Sequence, residues 1–147
     1  MNAIIKKRIT MVVFIIFIIC LVWIGLHTYG NYKIISQYAN EYEKGNLGNY
    51  YITEGDYVFS VTPVSMLDVS TNVSLANSKG NIDLVVWLNI FGKIEDMGLV
   101  INTGKSMEQI YIKRNFTAVN EEDNDLIERN FKDIKKLKEL VSKEWGI

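Results

Sequence analysis

Apolar residues are distributed along this chain in three distinct ways. From Ile9 to His27 no residue carries a formal charge, with His27 taken as neutral, and Ile, Val, Phe and Leu dominate. No polar stripe interrupts the run, as one would in a helix lying on a soluble core. As a helix it spans roughly 28 Å at about 1.5 Å per residue, close to the ~30 Å hydrocarbon core of a bilayer. Trp23, Tyr29 and Tyr32 fall towards its end, where amphipathic rings favour the headgroup level. Beyond the run, Ile34, Ile35, Tyr38 and Tyr42 recur at helical spacing, which predicts a stalk helix over residues 31–44. Gly45-Asn46-Leu47-Gly48 ends it.

The next seventy or so residues change to period two, the repeat of a half-buried strand. Tyr57 to Thr62 alternates and is rich in β-formers. Leu67 to Ala76 places Leu67, Val69, Val73 and Leu75 on one face and Asp68, Ser70, Asn72 and Ser74 on the other. Asn77 to Asn81 has the composition of a turn. Ile82 to Phe91 gives the strongest strand pattern, with Ile82, Leu84, Val86, Leu88 and Ile90 as a wholly apolar face. A strand of this kind belongs in the middle of a sheet. Gly98–Asn102 and Glu108–Arg114 form a further candidate hairpin around Thr103-Gly104-Lys105-Ser106, and Tyr50-Tyr51-Ile52 a candidate edge strand.

The pattern returns to steps of three and four at Ile127, Phe131, Ile134, Leu137, Val141 and Trp145. This predicts one long helix over about 121–145, with Asn120 as its N-cap and Glu121, Glu122 and Asp123 in the first turn, where the helix dipole favours negative charge. The fold class expected is therefore α+β: an N-terminal transmembrane helix, then an antiparallel β-meander of roughly four to six strands with the C-terminal helix packed on one face. The expected organisation is a cytoplasmic tail (1–8), a transmembrane helix (9–27), a stalk helix and linker (28–48) and an extracytoplasmic α+β domain (49–147).

Charge gives the expected topology. Lys6, Lys7 and Arg8 stand directly before the apolar run, while Lys33 and Lys44 beyond it are offset by Glu41 and Glu43. The positive-inside bias puts the N terminus in the cytoplasm and the domain outside, a single-pass protein of the cell membrane. A cleaved signal peptide is the competing reading. Its apolar region is shorter and ends in an A-x-A-like site, whereas only Thr28-Tyr29-Gly30 offers comparable spacing here. Ile18-Ile19-Cys20 lacks the small residues that a lipoprotein signal places before its cysteine.

Composition narrows the chemistry. A net charge of -1 gives no electrostatic reason to expect nucleic acid as a partner. The richness in Ile, Asn and Lys is of the kind encoded by AT-rich bacterial genomes. Cys20 and His27 are the only cysteine and histidine, and both lie in the apolar run. The domain that follows therefore has no thiol nucleophile, no Ser-His-Asp triad and no usual zinc site. Gly104-Lys105-Ser106 resembles the end of a phosphate-binding loop, but position 99 is Leu99 where that pattern needs Gly, and a strand rather than a helix is predicted next. A β-turn is expected there. Glu121 to Asp125 is acidic but lacks the spacing and central glycine of a calcium loop. Lys132, Lys135, Lys136 and Lys138 alternate with Asp133 and Glu139, as on a solvated helix face.

Two functional classes lead, ahead of a small-ligand sensor. The first is a membrane-anchored envelope protein acting as a binding or accessory module without catalytic chemistry. It would need no cofactor or metal, and its partners would be the membrane and another envelope or membrane protein. Trp87, Phe91 and Tyr111 are its candidate binding residues: if one sheet face is left open, Ile82 to Phe91 places aromatics on it beside the polar Ser70, Asn72 and Ser74. The second class is an anchored hydrolase acting on cell-wall glycan through paired carboxylates drawn from Glu54, Asp56, Glu95 and Asp96. It requires two of these acids to face each other across a cleft.

Overall fold

A computed structural model describes residues 3–65 and 70–147, with side chains described from Lys7 onward. The α+β architecture read from the pattern is the one observed. Helix α1 (Ala3–Tyr38) is followed by β1 (Glu43–Lys44), β2 (Tyr50–Glu54), β3 (Tyr57–Thr62), β4 (Ser70–Asn77), β5 (Ile82–Asn89), β6 (Ile94–Asn102) and β7 (Met107–Ile112). A 3₁₀ turn (Glu121–Asp123), α2 (Asn124–Arg129) and α3 (Phe131–Trp145) close the chain. The strands form one sheet in sequence order, each antiparallel to the next. Seven strands slightly exceed the range expected, mainly because β1 is only two polar residues long and has no periodicity to read. Leu67, Asp68 and Val69, expected to open β4, lie outside the described residues.

Alternation in the strands becomes one buried face. Phe59, Val61, Val73, Leu75, Leu84, Val86, Leu88 and Leu99 are fully or almost fully buried on it. At α3 they meet Ile134, Leu137, Val141 and Trp145. Trp145 closes the core at the β3 side, with its ring edge-on to Phe59 (5.5 Å) and to Tyr38 (6.4 Å). Its indole N–H donates to the Tyr42 hydroxyl at 2.9 Å, and that hydroxyl donates to Glu144 Oε1 at 3.0 Å. Burial, reinforced by the bond to Glu144, pushes the Tyr42 hydroxyl well above the usual phenol pKa, so it remains a donor throughout the pH range of folded proteins.

The C-terminal helix departs from expectation at Asn130. There the backbone leaves helical geometry (φ -107°, ψ 13°), and the Asn130 amide donates to the Leu126 carbonyl at 2.8 Å. The break separates α2 from α3 and takes Phe131 out of the buried stripe, leaving it 61% exposed. Asn120 precedes the 3₁₀ turn but makes no side-chain cap.

Helix α1 is continuous from the apolar run into the domain. The stretch Lys7–Tyr38 contains a segment long and apolar enough to cross a membrane, and every large apolar side chain from Ile9 to Leu26 is exposed. From His27 onward the helix instead buries one side: His27, Gly30, Ile34 and Tyr38, at steps of three and four, are covered. Asn31 fixes the contact by exchanging two hydrogen bonds with the Val64 backbone (3.1 and 2.7 Å). The Tyr38 hydroxyl donates to the Gly92 carbonyl at 3.2 Å. Residues 28–48, expected as stalk and linker, thus begin with helix that is part of the core.

Gly30 is the point of closest approach. A Cβ there would clash with the Ile90 carbonyl oxygen and come within 2.8 Å of Ile90 Cγ1. In a free helix Gly→Ala gains about 1 kcal/mol, but overpacking a close contact costs ~1–3 kcal/mol. Gly30→Ala should therefore destabilise the protein in detergent micelles, read by urea denaturation followed by near-UV circular dichroism. Gly25→Ala, where an added Cβ meets nothing within 4 Å, should not.

Candidate functional site

The described helices all pack on one face of the sheet, so the residues that alternate with the core form a second, open face. One cross-strand row on it runs Tyr51, Ser60, Ser74, Val85, Gly98, Tyr111. The next runs Thr62, Asn72, Trp87, Asp96. Ser60 and Ser74 share a hydrogen bond of 2.7 Å. The face is half-buried and mixed: polar at Ser60, Thr62, Asn72 and Ser74, apolar at Val58, Ala76, Val85 and Val100, with aromatics at Tyr51, Trp87 and Tyr111.

Trp87 lies over Gly98. A Cβ on Gly98 would stand 2.9 Å from Trp87 Cζ3 and 3.1 Å from the Ile110 carbonyl oxygen. The missing side chain lets the indole lean across β6 towards Tyr111, and the two rings come to 5.7 Å between centroids at a tilt of 37°. Tyr111 is 46% exposed. The pair therefore forms a small aromatic platform with hydroxyl and amide groups beside it. Trp87 also walls a concavity of about 250 Å³ lined by Thr62, Pro63, Ser65, Ser70, Thr71 and Asn72. Thr71 is itself buried on the core side, and its hydroxyl donates to the Thr62 carbonyl.

Of the candidate binding residues, Trp87 and Tyr111 meet. Phe91 does not join them. Strand β5 ends at Asn89, whose side-chain oxygen accepts from the N–H groups of Phe91 and Lys93 (2.9 and 3.1 Å) and folds residues 90–93 into a turn. Phe91 sits in that turn, 45% exposed. Lys7 and Arg8 are exposed near the start of α1, and the Lys6 side chain lies outside the described residues.

The two acidic pairs stand far from each other. Glu54 and Asp56 flank the β2–β3 turn, and Asp56 forms an exposed ion pair with Lys79 at 2.7 Å. Glu95 and Asp96 open β6 at the other end of the sheet. By register Asp96 is level with Thr62, which is separated from Tyr57 and its partner Glu54 by the length of β3, about 16 Å along the strand. That exceeds the ~5–9.5 Å separation of a glycosidase acid pair. Gly104-Lys105-Ser106 forms the β6–β7 hairpin turn, in which Asn102 Oδ1 accepts from the Gly104 N–H at 2.9 Å. Among the described residues no group of three or more His, Cys, Asp or Glu could hold a metal ion.

Sequence reasoning missed two features. Gly98, read only as the start of a strand, provides the seat for Trp87. A groove of about 700 Å³ also runs between residues 115–117 and helices α2 and α3, with Phe116, Ile127, Phe131 and Ile134 below Lys135 and Lys138. It depends on the exposure of Phe131 and on Phe116 adopting left-handed backbone (φ 69°), neither of which has a signature in periodicity. No family model, curated protein or solved structure matches the chain.

Asp83, on the open face, accepts from the Asn77 backbone N–H at 3.2 Å. Burial raises its pKa, and the bond to Asn77 only partly opposes the shift. Between the ordinary carboxyl value and the raised one, the native state holds a proton that the unfolded chain has released. Stability therefore falls as pH rises through that window and stays lower above it. Asp83→Asn should melt at a higher temperature than the natural protein at pH 7, with the difference closing as the pH is lowered through the carboxyl range in a thermal-melt series.

Proposed function

We propose that this chain is a single-pass membrane protein with its N terminus in the cytoplasm and its sheet domain outside. There the domain acts as a binding module for another envelope or membrane protein. The observation that carries this reading is a sheet packed by the described helices on one face only, with the half-buried Trp87 and the exposed Tyr111 brought together on the other. Tryptophan and tyrosine with a polar surround are the usual anchors of protein interfaces. Anchoring adds to their effect. A domain confined to a thin layer meets membrane partners at high effective concentration, so a modest interface suffices. The basic Lys6, Lys7 and Arg8 before the apolar run support the orientation.

The orientation has a direct test. In a Cys20→Ser background, Lys105→Cys should react with a membrane-impermeant maleimide added to intact cells. Protection until the cells are lysed would reverse the topology.

Binding is tested by placing a photo-crosslinking residue at Gln109, which is exposed on the open face, in full-length protein in intact cells. The expected result is a discrete adduct with an envelope or membrane protein that fails to form from Lys132 on the helical side. Trp87→Ala should weaken it by about 2 kcal/mol, a loss of roughly thirty-fold in affinity for an interface anchor. Gly98→Ala keeps the indole but pushes it from its seat, and should weaken the adduct in the same direction. Equal adducts from both positions, or an adduct insensitive to both substitutions in correctly folded protein, would overturn the proposal.

A further inference from the structure

The junction between α1 and the domain lies at the level where the apolar run ends. His27, the last residue of that run, is 3% exposed, although its helical neighbours Leu26 and Tyr29 are open. Trp23, with its ring 4.7 Å away, covers part of it. One neighbour on the same helix does not bury a side chain so completely, so the domain reaches down to this level. Gly30 then touches Ile90, Asn31 binds Val64, and Ile34 and Tyr38 flank Gly92. All these contacts come from one end of the sheet, the β3–β4 connection and the β5–β6 turn.

The helical rise sets the heights. Gly30 is about 4.5 Å and Asn31 about 6 Å beyond His27 along the axis. A headgroup layer is roughly 5–7 Å deep on each side of the hydrocarbon core. Ile90 is therefore at headgroup depth when the apolar run spans the bilayer, and Gly92, level with Ile34 about 10 Å beyond His27, stands at the outer edge of that layer. The exposed side chains there suit such a layer. Tyr29 and Tyr32 project from α1, and Phe91 and Lys93 from the turn. Lys113 and Arg114 lie beside Glu95 and Asp96 on the same end.

We propose that the β5–β6 turn is a second membrane contact. The Phe91 ring seats among the lipid headgroups, and with α1 it holds the domain in one posture on the bilayer. The partner of this surface is the lipid itself. It explains why Phe91 stands apart from the aromatic platform: Trp87 and Tyr111 face a protein, Phe91 faces lipid. The inference rests on the reading of α1 as a membrane span, and the experiment separates the two.

Full-length protein carrying Cys20→Ser is given a single cysteine at Ile16, Phe91, Lys93 or Lys105, nitroxide-labelled and reconstituted in vesicles of phosphatidylcholine and phosphatidylglycerol. Far-UV circular dichroism checks each fold. Power saturation then compares collision with oxygen, which partitions into lipid, and with a water-soluble nickel chelate. The label at 16 should be reached by oxygen and shielded from nickel. The label at 105, in the turn at the opposite end of the sheet, should be open to nickel. Phe91→Cys should lose most of its nickel collisions relative to 105, and Lys93→Cys should show the same loss in part. A label at 91 as open to nickel as that at 105, with 16 in lipid, would overturn the membrane contact and leave the anchor standing. A label at 16 that is itself open to nickel would sink both.

Discussion

One unbroken helix presents its apolar side chains in two different ways. Along Ile9 to Leu26, α1 exposes large apolar groups on all sides, in a segment long and apolar enough to cross a membrane. From His27 the covered positions narrow to a single stripe through Gly30, Ile34 and Tyr38, the pattern of a helix lying on a protein core. Because the change occurs without a break in the backbone, the domain has no hinge at which to turn. Its attachment depends on a close contact that only glycine permits at position 30, and on an asparagine side chain that pairs with both polar groups of Val64.

The same helix takes part of the space available on the core face. Its last third and α3 together cover that face, with Tyr38, Tyr42 and Trp145 closing the gap between them. No described element is left for the other side of the sheet. A face without a covering layer is stable only if its side chains suit water, and Ser60, Ser74, Asn72 and Thr62 do so. Trp87, with Val85 and Tyr111 beside it, departs from that pattern. It shields the backbone at Gly98, where no side chain protects it, and this gives the indole one buried side and one free side. A tryptophan whose position is already set loses little further rotamer freedom when a partner covers it, which lowers the entropic cost of binding.

Much of this fold was legible because its forces are periodic. Tyr57 to Thr62 and Ile82 to Asn89 alternate cleanly because one face is buried against helix and the other is not. The long apolar run and the Ile134–Leu137–Val141–Trp145 stripe were equally plain. What escaped depends on contacts between residues distant in sequence, or on local backbone geometry. Strand β6 starts at Ile94 rather than at Gly98 because an irregularity between Trp87 and Leu88 absorbs Glu95 and lets acidic residues enter the ladder. Asn130 interrupts a helix whose apolar spacing continues past it. Phe116 holds a left-handed conformation that costs a non-glycine residue about 1 kcal/mol or more, offset by burial of its ring. Of the site, the pairing of Trp87 with an aromatic on another strand could be anticipated from alternation. Its seat on Gly98, the departure of Phe91 into a turn and the separation of the acidic pairs all required the register.

Register and attachment together define where a partner would be met. Trp87 precedes Ile90 by three residues, about 10 Å along the strand, and Ile90 touches α1 just beyond the apolar run. With no hinge between helix and sheet, the aromatic platform keeps a constant short distance from the level at which α1 leaves that run. On the proposed topology, a surface able to reach it must itself lie close to the bilayer, as the extracytoplasmic loops or juxtamembrane segments of a membrane protein do. If the domain docks on a neighbour in the same membrane, as proposed, a rigid attachment sets the orientation needed before the two proteins meet, which lowers the cost of binding.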